Sequence, residues 1–397
     1  MSSPSSKPVD LAMIIQKGLS SFIAKHQDLP GKHWKVVNNI MNCRTAALEG
    51  HVYKCDNCDQ MTIVYNSCGD RHCPKCQGVA RAVWVQKRVN ELLPVGYFHT
   101  VFTIPDSFNP FALRNKKVMY DLLFKAVSET LLELGLDPQW LGAEIGFICV
   151  LHSWGQNLMD HPHIHVIIPG GGIKKDKKEW KYFSEKFLIP DKVMAKLFKG
   201  KFLHYFKQLV EKNQIQMHGI LKKYKNISVF NHFKNAQYQK DWIVYTKEPF
   251  GTAEKVVKYL GKYTHRIAIS NQRIISLKDG KVSFWWKDYK DNNRQKIMKL
   301  DIVEFIRRFL LHIFPHKYVR IRYFGILSNS NKTEKLTTCF RLLGERWEKQ
   351  SIPLGVAACL LFIMNIDITL CPKCKTGHLK KVKEILKGPI SQLDLAA

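Results

Sequence analysis

His161-Pro162-His163-Ile164-His165-Val166-Ile167-Ile168-Pro169-Gly170-Gly171-Gly172 is the stretch that decides how the rest of the 397-residue chain is read. Val166 to Ile168 is an apolar, β-branched run ended by Pro169-Gly170, which predicts a strand. Alternate side chains of a strand share a face, so His163 and His165 point one way while Ile164 points into a core. Two neutral imidazoles on one face can grip a divalent ion. Two solvated histidines on a half-exposed strand are the ordinary alternative, and a second motif is needed to separate the readings. The glycine triplet lacks the lysine-serine pair of a phosphate loop and no clear helix follows it, so it reads as a flexible turn.

Upstream, Ile145 to Trp154 reads as another strand, and Gly155 to Pro162 turns it antiparallel onto the histidine strand, the shortest connection available. Phe98 to Ile104 is a third strand, stopped by Pro105. Asn115 to Leu134 is a long helix with Gly135 as its C-cap. Downstream, Lys186 to Lys223 is helical and basic, Trp242 to Tyr245 extended, and Ala253 to Thr264 helical, capped by Gly251 or Thr252. Asp279-Gly280 between two alternating runs is a hairpin signal. Asp301 to Phe314 is an amphipathic helix, and Tyr318 to Leu327 alternates like a strand. Near the start, Ile14, Ile15, Leu19, Phe22 and Ile23 fall at helical spacing until Leu29-Pro30-Gly31 breaks it.

Cys43 to Cys76 is the chemically densest segment. Cys55/Cys58 and Cys73/Cys76 are two Cys-x-x-Cys knuckles at a separation close to that of zinc ribbons. A two-residue gap lets one turn supply two thiolates to a tetrahedral ion. Cys43, His51, Cys68 and His72 are left over, enough for a second site interleaved with the first; one or two zinc ions are therefore expected. Cys371 and Cys374 form a lone knuckle near the end, with His378 as the nearest third ligand; zinc and free thiols both stay open there. Eleven cysteines without an export signal point to metal rather than disulfides.

The formal net charge is +29, an excess that suggests a polyanionic partner, nucleic acid before membrane. Arg71, Lys75 and Arg81 of the cysteine module are placed to touch phosphates. Trp180, Tyr182, Trp285 and Trp286 lie among lysines and could stack on unpaired bases, although Trp285 and Trp286 alternate faces, so one at most is exposed. The longest apolar run, Pro353 to Ile366, is shorter than the ~20 residues that span a bilayer. It reads as a buried helix, and the chain as cytoplasmic, associated with the nucleoid in a bacterium.

The second motif is Tyr259-Leu260-Gly261-Lys262-Tyr263. Positions i and i+4 share a helical face. Such a tyrosine pair is in general more often packing than catalysis. Taken with His163-Ile164-His165, however, it resembles the HUH endonucleases, and the layout resembles the two-tyrosine rolling-circle transposases of the insertion-sequence-ninety-one family. The matching features are Tyr65-Asn66-Ser67-Cys68, Arg71 to Gln77, Leu93-Pro94, Tyr97-Phe98-His99 through Pro105, Trp154-Gly155-Gln156, His161 to Gly172, and Lys258 to Arg266. They run in order over roughly residues 35 to 345, and jointly they are specific; the tail after Leu343 matches less well.

The resemblance implies an α+β fold, an antiparallel sheet with helices on one face, with strand 98–104 central beside the histidine strand. It divides the chain into a helical segment (1–42), a zinc-binding module with a basic helix (43–92), a catalytic domain (93–345) and a C-terminal segment with the knuckle (346–397). It implies a DNA strand nickase and transferase using Tyr259 and Tyr263 as nucleophiles, with Mg²⁺ or Mn²⁺ on His163, His165 and an oxygen ligand from the neighbouring strand. Gln156 is the first choice for that ligand, ahead of Asp160 and His152. Lys262 and Arg266 flank the tyrosines as DNA contacts, and the DNA is single-stranded or melted. A replication initiator or relaxase would use the same chemistry, but the zinc module favours the transposase. A non-catalytic zinc DNA-binding protein is the alternative of another class.

Overall fold

The computed structural model describes residues 8–26, 28–184, 188–250, 261, 268–288, 291–330, 332–348, 351, 353 and 355–386. Helices α1 (Leu11–His26) and α2 (Gly31–Asn42) follow the predicted break at Pro30, which occupies the N-cap of α2. Leu11, Ile14, Ile15, Leu19 and Phe22 bury one stripe of α1. That stripe packs against α8 (Ile302–Leu311). A Cβ on Gly18 would sit 2.7 Å from both Ile302 and Ile306, so the two helices approach closely where the side chain is missing. The N-terminal helices thereby share one core with the central sheet.

That sheet has seven strands. Its order is β7 (Trp180–Tyr182), β6 (Gly171–Ile173), β4 (Glu144–Trp154), β5 (Asp160–Pro169), β3 (Tyr97–Thr103), β8 (Ile243–Phe250), and β12 (Ile321–Gly325) pairs with β4. Every pairing in it is antiparallel. The expected hairpin is β4–β5, and the strand expected beside the histidines is β3. Ile164, Val166 and Ile168 join Phe98, Phe102, Phe147, Cys149 and Leu151 in the main core, under α5 (Lys116–Leu136) and α6 (Asp191–Glu211). Alternation then turns the histidines to the other face, away from these helices. The α+β architecture read from the sequence is the one found.

Three local expectations are corrected. Gly135 lies inside α5 rather than capping it: a Cβ there would meet Ile145 at 2.9 Å, so this glycine lets the helix approach the sheet, and Asp137 is the C-cap. The glycine triplet is no flexible turn: Gly171–Ile173 is a buried strand, and Cβ atoms at Gly171 and Gly172 would sit 2.4 Å and 2.5 Å from the carbonyl oxygens of Lys181 and Glu144. The apolar run near the end forms α10 (Val356–Met364), but only Cys359 of it is buried; Val356, Leu361, Phe362 and Met364 are about half exposed. A segment apolar all round carries no periodicity to say which side is covered, and α10 rests on α3 (Gln77–Val89) by one side only.

The second sheet, β9 (Ile274–Lys278), β10 (Lys281–Asp288) and β11 (Arg294–Asp301), follows the predicted hairpin. Asp279 and Gly280 both have positive φ, 51° and 68°, as a two-residue I′ turn requires. The third sheet joins the two ends of the chain: β1 (Gly50–Cys55) lies between β2 (Met61–Tyr65) and β13 (Leu379–Ile385), with Cys55 opposite Leu379. The segment 346–397 thus contributes a strand to the cysteine module.

Candidate metal centres and DNA-processing site

His163 and His165 occupy alternate positions of β5, and their Nε2 atoms approach to 3.2 Å. Directly across the hairpin, His152 of β4 pairs with His163. One ring nitrogen from each of His152, His163 and His165 lies within 4.8 Å of the others. Nδ1 of His163 is 2.6 Å from the carbonyl oxygen of His161. A carbonyl only accepts, so that nitrogen carries the proton and Nε2 keeps its lone pair. Trp154 stacks on His152 with ring centroids 4.7 Å apart and fixes its plane. The donor set fits a divalent ion: three imidazoles converging from two paired strands.

The third group beside the pair is therefore His152, where Gln156 was the first expectation. Gln156 sits in the turn of the hairpin, and its carbonyl oxygen accepts from the Arg273 guanidinium at 2.5 Å. Register explains the difference. The unbroken ladder Val150–His165, Leu151–Ile164, His152–His163 puts His152 opposite His163, and the β-bulge between His152 and Trp154 comes only beyond that pair, toward the turn. Asp160 lies with the helix-facing residues. It is buried, neither carboxylate oxygen has a hydrogen-bond partner among the described residues, and burial pushes its pKa up to about 7 against the pull of Lys116 on α5.

Tyr259, Lys262, Tyr263 and Arg266 lie outside the described residues. Gly261, between the tyrosines, is helical and buried, and a Cβ there would meet Val85 of α3 at 2.8 Å. The chain re-enters the description at Ala268 and Ile269, both in the main core.

The cysteines form two groups of four, paired differently from the sequence expectation. Cys43, Cys68, Cys73 and Cys76 make one; Cys55 and Cys58 meet Cys371 and Cys374 in the other. In the first, Cys76 Sγ is 3.3 Å from Cys43 Sγ and 3.5 Å from Cys68 Sγ. In the second, Cys55–Cys374 and Cys58–Cys371 are each 3.7 Å apart. Four thiolates on one zinc at ~2.3 Å stand roughly 3.8 Å apart, so both clusters have the spacing of a tetrahedral site. All eleven cysteines are free. In the first cluster the thiols titrate against one another: the hydrogen bond from Cys73 draws Cys68 down to about 5, and that same bond, with burial, pushes Cys73 far up. A cation relieves such crowding.

His51 and His72 stand outside both clusters. His51 is on β1, edge-on to Tyr53. His72 is an internal tie: Nδ1 is 2.9 Å from Asp70, and Nε2 accepts from the Phe314 backbone N–H at 3.3 Å. Arg71 is also tied inward, donating twice to the Tyr318 carbonyl at 2.6 and 2.8 Å, and Lys75 is paired with Asp10 at 2.8 Å. Arg81 is exposed on α3. Of the aromatics, Trp180 is buried and Trp286 packs on the core, while Tyr182 is 61% and Trp285 37% exposed. Sequence reasoning assigns His99 on β3 no role, although it faces the same side as the triad. Alternation along β3 was the available signal, and it needed the β3–β5 register to become useful.

A transposase zinc-binding domain family matches residues 14–104, and a family described as "Putative transposase" matches residues 146–335. The chain is 44% identical over 382 residues to "Putative transposase y4qJ" of Sinorhizobium fredii, a match covering 96% of each protein. It is 25% identical over 357 residues to the "Transposase for insertion sequence element IS801" of Pseudomonas savastanoi pv. phaseolicola, covering 86% of this chain and 81% of that one. No solved structure matches it.

Proposed function

Because the chain belongs to the transposases of the insertion-sequence-ninety-one and IS801 kind, we propose that it nicks and rejoins single DNA strands through a covalent 5′-phosphotyrosine link. The observation that carries the reading is the convergence of His152, His163 and His165 on one sheet face in a transposase with a tyrosine pair downstream. The hydroxyl of Tyr259 or Tyr263 loses its proton, its oxygen bonds to phosphorus, and the bond from phosphorus to the 3′-oxygen breaks, releasing a 3′-hydroxyl. The phosphodiester energy stays in the new bond, so resealing by an incoming 3′-hydroxyl needs no nucleotide. The second tyrosine allows one strand end to be held while another is processed.

The three imidazoles would hold a divalent ion, Mg²⁺ or Mn²⁺, which when bound polarises the scissile phosphate and favours the charge that builds on it. Trp154 and the His161 carbonyl hold two of the rings for that task. Each cysteine cluster would hold a structural zinc, because so small a sheet buries too little apolar surface to stand without one. Arg81, Lys262 and Arg266 would meet the DNA backbone, within a chain of net charge +29.

The test is nicking of labelled single-stranded oligonucleotides carrying an element end, with Mg²⁺, Mn²⁺ or EDTA. Cleavage with a protein-linked 5′ end that disappears in EDTA is expected. Binding without cleavage under every ion would favour the non-catalytic alternative.

A further inference from the structure

Behind the three imidazoles stands a fourth. His99 of β3 lies opposite Ile167 of β5, so its side chain emerges on the face that carries His165. Its Nε2 is 2.9 Å from Nδ1 of His165, and the two rings lie nearly parallel, planes 15° apart and centroids 5.1 Å apart, which fits an edge-to-edge hydrogen bond. His99 is 2% exposed. His165 therefore has one nitrogen turned toward His163 and the other turned toward His99.

We propose that His99 is a positioning residue for the metal centre: it accepts the Nδ1 proton of His165, which leaves the Nε2 lone pair of His165 aimed at the ion. The inference rests on the reading of the triad as a metal site. Its chemistry is that of an imidazole with two nitrogens and one proton. When Nδ1–H donates to a fixed acceptor, Nε2 is the ligand, the ring cannot rotate, and the ligating nitrogen gains basicity. His163 receives the same service from the His161 carbonyl at 2.6 Å. A carbonyl can only accept, whereas His99 must itself adopt the tautomer with a bare Nε2. His99 is not one of the three histidines whose ring nitrogens converge within 4.8 Å of one another.

The partner identity is testable apart from the ring. His99→Phe keeps a planar ring against His165 but removes the acceptor; His99→Gln keeps an acceptor oxygen without the ring. Mn²⁺ affinity of the full-length protein is measured by titration calorimetry and by the EPR signal of free Mn²⁺, with zinc content and circular dichroism recorded on each variant. Wild-type protein that binds no divalent ion at the triad would overturn the metal reading itself. With wild-type binding in place, His99→Phe is expected to weaken it by about 10- to 100-fold, the range seen when such outer partners are lost, and His99→Gln to recover part of that loss. Unchanged affinity in His99→Phe, or equal losses in both variants, overturns the role assigned to His99. Should either variant fail to fold, selectively ¹⁵N-histidine-labelled wild-type protein loaded with Mg²⁺ gives a direct answer. His165 should show a protonated Nδ1 coupled to the Nε2 of His99, and ligation of His165 through Nδ1 would sink the proposal.

Discussion

His152 and His163 face each other across the β4–β5 hairpin, and that one pairing selects the third imidazole of the metal centre. A shift of one residue in the hairpin would send His152 to the helix side and leave two histidines with no third. His152→Ala should therefore abolish metal-dependent nicking, by at least about 100-fold, while Gln156→Ala stays within a few-fold of wild type. Single-turnover cleavage of an end-bearing oligonucleotide measures both.

Tyr259→Phe and Tyr263→Phe should each impair transposition, and the double variant should form no covalent protein–DNA adduct. Denaturing gels of protein incubated with labelled single-stranded DNA read this directly. Adducts at wild-type level in the double variant would remove both tyrosines from the chemistry.

Zinc analysis of purified protein should find two ions per chain. Cys371→Ser should bring this to one and expose β13 to limited proteolysis, because three thiols close a tetrahedral site poorly and the strand loses its anchor. Cys73→Ser should act on the other ion and do more harm to the whole fold, since Cys43, Cys73 and their neighbours pack on the main core. Two zincs retained in Cys371→Ser would refute the pairing.

Binding to single-stranded DNA should fall by orders of magnitude between low and moderate salt, because each counterion that a phosphate contact releases gains less entropy in a saltier solution. Trp285, exposed on β10 opposite Ile297, is the aromatic best placed to stack on a base; Trp285→Ala should weaken binding by roughly 5- to 100-fold with little change in the salt slope. Trp180→Ala should instead destabilise the fold, since that ring is buried against β6. Fluorescence anisotropy across a salt series separates the two effects.

Asp160 gives a pH signature. Its folded-state pKa is raised to about 7 from 3.8, so the folded protein keeps a proton that the unfolded chain has released. Stability from this residue is full below the unfolded pKa and is lost as pH rises to about 7. The loss is on the order of 4 kcal/mol at ~1.4 kcal/mol per unit. Asp160→Asn should gain on wild type as pH rises from 4 to 7 and run parallel above it. Urea melts at several pH values check the slope.

The histidine strand, its hairpin and the strand beside it were legible because each is an apolar, β-branched or aromatic run stopped by a turn residue: Val166 to Ile168 before Pro169-Gly170, Ile145 to Trp154 before Gly155, and Phe98 to Ile104 before Pro105. What the sequence could not supply was register across strands. Without it, His152 ranked behind Gln156, and His99 had no role. Cysteine pairing failed for a related reason: Cys55 and Cys58 looked closest in sequence to Cys73 and Cys76, yet their partners lie beyond residue 370, brought in by a strand pair between the chain ends. Arg71 was read as a phosphate contact and His72 as a zinc ligand because nothing in a short polar run reveals that Tyr318 and Phe314 will fold over them. The glycines at 171 and 172 looked like slack and are in fact crowded positions.

The clasp between the chain ends sets a timetable for synthesis. Cys58 and Cys371 are separated by 313 residues. At ~5–20 residues per second, the first knuckle leaves the ribosome roughly 15 to 60 seconds before the second exists. Through that interval Cys55 and Cys58 stand as an open pair of thiols, while Cys43, Cys68, Cys73 and Cys76 are already able to close around an ion. The second cysteine cluster can therefore assemble only after residues 371 to 374 have been made. A chain cut before Cys371 would carry β1 without β13, with an uncovered strand edge and two unmatched thiols, the features that favour aggregation.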